Sequence, residues 1–128
     1  MNPSTPAAPA ILLGNSFPLS LVRRRVVIEP VAIETFRKAA AGAELFSFWG
    51  HANTIQAATA MLGFNVAPRE SRPALTLDAA GRPTLYGRAF EVCWILSPIY
   101  AGNYRPKVGE EVPAEKIVDW QVLKMSWQ

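Results

Sequence analysis

Proline and glycine punctuate this chain from end to end, with eleven prolines and eight glycines in 128 residues. Proline breaks helices and glycine favours turns, so spacing of this kind excludes a bundle of long helices. It predicts several short elements joined by turns. At this length a single core is the default. Half of the residues are hydrophobic and 18% are charged, which gives enough apolar surface for that core and too little charge for a disordered chain.

The elements follow from the runs between these breaks. Residues 1–9 are small, polar and proline-rich, and read as a flexible leader to a single domain over 10–128. Ala10 to Leu13 is an apolar run stopped by Gly14, and reads as a buried strand. Leu21 to Glu29 holds Arg23, Arg24 and Arg25 before Val26, Val27 and Ile28, and β-branching there favours a second strand. Pro30 is expected to open a helix carrying Val31, Ile33, Phe36 and Ala40, closed by Gly42. Glu44 to Trp49 reads as a strand, and Ala52 to Leu62 as a helix ended by Gly63.

Beyond Gly63 the pattern turns to β. Strands are expected at Arg72–Leu77, Thr84–Tyr86 and Ala89–Leu96, with a turn through Gly81. Pro98 to Gly109 reads as a long loop, Pro113 to Asp119 as a short helix, and Trp120 to Trp127 as the last strand. The order predicts an α+β fold: one mixed sheet of about five or more strands with two or three helices. The four tryptophans fall in or beside strands and are expected in the core or a dimer seam.

Some chemistries are excluded. Cys93, the one cysteine, lies in an apolar run, so it reads as a buried thiol in a reducing compartment. One cysteine and one histidine cannot build a zinc site from such ligands. No apolar stretch reaches the ~20 residues of a membrane span, and the start lacks the pattern of a secretory signal. A cytoplasmic protein is expected. A net charge of +3 suits a small polyanion better than duplex nucleic acid. No phosphate-cradling Gly-x-x-x-x-Gly-Lys loop and no nucleophilic serine motif appear.

One feature can carry chemistry. A strand is followed by Gly50 and His51, and a helix begins at once. The first N–H groups of a helix, from Ala52 onward, have no internal partners and attract phosphates. A histidine there is poised as a neutral acid or base, with Asn53 and Thr54 adding side-chain donors. The same placement also suits a histidine with no chemical task. Arg72 and Arg105 can fork onto a phosphate or pair with surface carboxylates. The Arg23–Arg25 run reads first as solvated surface.

These residues resemble a known family. Ile11 to Leu13 with Asn15, Ser16 and Phe17 is similar to its opening strand and turn. Ser47 to Gly63, containing Gly50, His51 and Thr54, resembles its Gly-His-x-x-Thr helix start, and Arg72 to Leu77 its arginine-led strand. The family is the small viral and mobile-element ring nucleases that act as anti-CRISPR proteins by destroying cyclic tetra-adenylate. The resemblance implies a homodimer with a cyclic oligonucleotide across its two-fold axis. It implies metal-independent cleavage with no cofactor, using His51 as the catalytic acid. Asn15, Ser16, Gly50, Ala52, Asn53, Thr54, Arg72 and Arg105 would bind the ligand. Where the family places a glutamate three residues after its loop arginine, this chain has Val108. Two other readings stand beside a ring nuclease: a non-catalytic sponge for the same messenger, and a protein-interaction module without a nucleotide site.

Overall fold

The computed structural model describes residues 9–49, 52–63, 66, 74–107 and 112–128. Its elements run β1 (Ala10–Gly14), β2 (Val26–Val31), α1 (Ile33–Ala40), β3 (Glu44–Ser47), α2 (Ala52–Leu62), β4 (Thr76–Leu77), β5 (Pro83–Leu85), β6 (Arg88–Ala89), β7 (Val92–Tyr100) and β8 (Ile117–Trp127). Short 3-10 turns precede β2 and β8. The class is α+β, as expected. A mixed five-stranded sheet runs in the order β2-β8-β7-β1-β3. Strand β1 is parallel to both β3 and β7, while β8 is antiparallel to β7 and β2. The sequence predicts one sheet, and the chain adds a second, formed by β4, β5 and β6.

Three layers result, because alternate residues of a strand face opposite sides. On one face Ile11, Leu13, Trp94, Leu96 and Val122 pack against Phe36 and Ala40 of α1 and Ala58 and Leu62 of α2. On the other, Leu12, Phe46, Cys93, Ile95, Met125 and Trp127 pack against Leu85 and Phe90 of the small-sheet region. The tryptophans serve mainly as core: Trp49, Trp94 and Trp127 are buried, and Trp120 packs against the helix-side cluster. Arg37 of α1 donates to the carbonyl of Met61 at 3.0 Å, placing a cation at the C-terminal end of α2, where the helix dipole favours it.

Several expected boundaries move, and proline explains two of them. Pro30 lies inside β2 rather than opening α1. Strand β7 continues through Pro98 to Tyr100, where the sequence reads as loop. In an antiparallel ladder alternate residues point their backbone groups at the partner. Gln128 N–H donates to the Arg25 carbonyl, so Arg25, Val27, Glu29 and Val31 face β8 while Val26, Ile28 and Pro30 face outward. Trp127 N–H donates to the Glu91 carbonyl, so by the same alternation Pro98 faces the side of β1, beyond its last pair at Gly14 and Ile95. Neither proline removes a ladder bond.

Other boundaries change for simpler reasons. Strand β8 begins at Ile117, because the expected helix is a single 3-10 turn, Ala114–Lys116. Of the strand expected at Arg72–Leu77, only Thr76–Leu77 is a strand among the described residues. Of the strand expected at Leu21–Glu29, the part before Val26, with Arg23, Arg24 and Arg25, precedes β2, which runs on instead to Val31. No helix among the described residues is long and apolar enough to cross a membrane.

Candidate functional site

The parallel strands β1 and β3 end side by side, with Leu13 level with Ser47. Two contacts fix this edge. Phe48 N–H donates to the Leu13 carbonyl at 2.9 Å. The Phe48 ring also covers Gly14 so closely that a Cβ there would overlap it. Gly14 therefore does more than stop a strand: the absence of a Cβ makes room for the Phe48 ring.

From this edge the two chains part. After β1, Asn15 and Ser16 lead to Phe17, which packs on Phe48 and Trp127 on the small-sheet side. After β3, Trp49 turns to the other side, where it is buried among the helix-side cluster and leads into α2. Neighbouring parallel strands whose connections leave to opposite faces open a crevice between them, and ligands of open α/β sheets bind at such switch points.

The start of α2 is anchored to this edge. Trp49 Nε1–H donates to Thr54 Oγ1 at 2.9 Å, and Thr54 is buried in the first turns of the helix. Ser97 of β7 donates its hydroxyl to the Asn15 carbonyl at 3.3 Å, holding the loop after β1 against the sheet. Sequence reasoning missed Ser97, Trp49 and Phe48 as organisers of this corner. The tryptophan five residues before a helical threonine was the available signal, but a core role accounts for it equally.

The candidate residues divide as follows. Asn15 and Ser16 directly follow β1, and Thr54 is tied through Trp49 to the segment after β3, the strand beside β1. Ala52 and Asn53 are the first two residues of α2, described by backbone alone. Gly50, His51, Arg72 and Val108 lie outside the described residues. Arg105 is exposed in the segment after β7, donating to the neighbouring Tyr104 carbonyl at 3.0 Å. Strand β7 runs five residues past its last pair with β1, so its end lies roughly 17 Å along the strand from that level. Nothing described brings Arg105 to Asn15.

Electrostatics elsewhere are structural. Asp78 has its carboxyl pKa lowered, first by the Arg82 backbone N–H and then by the Arg82 guanidinium, and the pair closes the turn before β5. Burial pushes the Cys93 thiol well above its usual value. Among the described residues no three His, Cys, Asp or Glu side chains converge as metal ligands. No protein-family model matches the chain, and no curated protein matches it in sequence.

Proposed function

We propose that the chain binds a cyclic oligonucleotide second messenger of an antiviral defence system, a cyclic oligoadenylate, at the edge where β1 and β3 end, and cleaves it. One observation carries this reading: two adjacent parallel strands send their connections to opposite faces, and the Gly50-His51 dipeptide joins one of them to a helix start. The N–H groups at the start of a helix lack intrahelical acceptors, a chemistry that suits a phosphodiester. The Trp49–Thr54 bond ties the start of α2 to the segment after β3.

In the proposed reaction a ribose 2′-oxygen attacks the adjacent phosphorus in line and loses its proton to solvent. The bond from phosphorus to the 5′-oxygen breaks, and His51 protonates the departing oxygen. The products are a 2′,3′-cyclic phosphate and a 5′-hydroxyl. Water adds no atoms, and the protein supplies position and one proton. Asn15, Ser16 and Arg72 would hold the ring, and host cytoplasm is the proposed setting.

A sponge is the second reading, favoured by Val108 at the position of the family's glutamate. One experiment separates the two. Purified chain is incubated with cyclic tetra-adenylate in EDTA, and products are resolved by chromatography. Linear product ending in a cyclic phosphate, lost in His51→Ala, supports cleavage. Ligand retained and recovered intact after denaturation supports the sponge. Neither retention nor product at high protein concentration removes both.

A further inference from the structure

We propose that the open edge of β2 is the seam between two copies of this chain, paired as antiparallel strands about a two-fold axis at Val27. The inference does not depend on the nucleotide reading.

Among the described residues, strand β2 ends the five-stranded sheet and pairs only with β8. Val26 and Ile28 direct both N–H and C=O outward, whereas Pro30, the next outward position, has no N–H to give. Exposed edges with free donors are templates for another strand. Val27 is 39% exposed and Ile28 51%, so apolar side chains remain uncovered along this edge.

The pattern of side chains selects the partner and the register. Arg25, whose carbonyl continues the β8 ladder just before β2, shares one face with Val27 and Glu29. With the axis at Val27, each Arg25 lies opposite Glu29 of the second copy, and Val27 lies opposite itself. Val26 then faces Ile28 of the second copy, and each such pair exchanges two backbone hydrogen bonds. Moving the axis to Ile28 sets Val26 against proline and Glu29 against Val27. Moving it to Val26 sets Arg25 against Val27. Only the Val27 axis satisfies charge and backbone together. Both charges are available, since neither Arg25 nor Glu29 makes an ion pair among the described residues. Lys124, directly across from Glu29, instead sits over the Trp94 ring at 5.6 Å.

Edges β2 and β3 are at opposite sides of the sheet. Each protomer would therefore keep its own site at the ends of β1 and β3, unlike the shared ligand that the family resemblance implies.

Light scattering over a concentration series, on wild type, Arg25→Glu, Glu29→Arg and the double exchange, tests this. Wild type is expected to reach the mass of two chains. Each single reversal sets like charges opposite each other twice, and is expected to weaken the dimer about tenfold or more. The double exchange is expected to recover it. A wild type that stays monomeric, single reversals without effect, or a double exchange that stays weak would each overturn the proposal. Amide exchange on wild type needs no variant: Val26 and Ile28 are expected to exchange fast when dilute and slowly when concentrated, and fast exchange throughout would also overturn it. Glu29→Arg is expected to keep any thermal shift with cyclic tetra-adenylate, so failure of the seam and failure of the nucleotide reading remain distinguishable.

Discussion

Single side chains decide whether the corner at the ends of β1 and β3 exists. Gly14→Ala would drive a methyl into the Phe48 ring, which is itself held against Phe17. A loss of about 1–3 kcal/mol is expected in denaturant unfolding. Trp49 and Trp127 make a useful contrast. The Trp49 indole N–H bonds Thr54, whereas that of Trp127 is buried with no partner among the described residues. Trp49→Phe deletes this buried hydrogen bond and Trp127→Phe deletes none among the described residues, so the first is expected to cost about 1 kcal/mol more. Cys93 is expected to resist thiol reagents in the folded chain and react once unfolded. Its pKa is raised by burial, so the unfolded thiol ionises first. Stability is then full below the ordinary thiol range and falls as pH rises through it, with a slope approaching about 1.4 kcal/mol per pH unit. Denaturant midpoints measured between pH 7 and about 10 check the sign.

At the scale of elements, the direction of each backbone group matters more than the identity of the residue alone. Strand β1, α1 and α2 were legible because apolar runs and helical spacing end at glycines, and Gly42 and Gly63 do adopt positive φ. Pro30 and Pro98 misled because sequence does not tell which way a strand residue points its N–H. That direction depends on neighbours far along the chain, β8 for Pro30 and β1 for Pro98. The same alternation gives a paired expectation. Ile28→Pro removes an outward N–H and leaves the ladder to β8 whole, whereas Val27→Pro deletes a ladder bond. Thermal melts of dilute protein are expected to show Val27→Pro as clearly the more damaging. Equal losses would mean that the alternation is assigned wrongly.

The molecule as a whole separates its tasks by layer and edge. Helices and a small sheet cover the middle of the central sheet on both faces, whereas β2 at its edge keeps Val27 and Ile28 exposed. The three-layer arrangement was less legible than the class, because β4 and β6 are too short to carry a pattern. For the site, the Gly50-His51 spacing was readable in the sequence, but the parting of the two connections was not. It depends on Phe17 and Trp49 choosing opposite faces. The central claim is that this parting accepts a cyclic nucleotide. Titrating cyclic di-, tri-, tetra- and hexa-adenylate into the chain by calorimetry tests it most directly. Saturable heat with one of these rings, weakened at least about tenfold by Arg72→Ala, is the expected result, since a lost charge-assisted contact is worth roughly 1.5–3 kcal/mol. No saturable heat with any ring, at protein concentrations where the fold is intact, would contradict it.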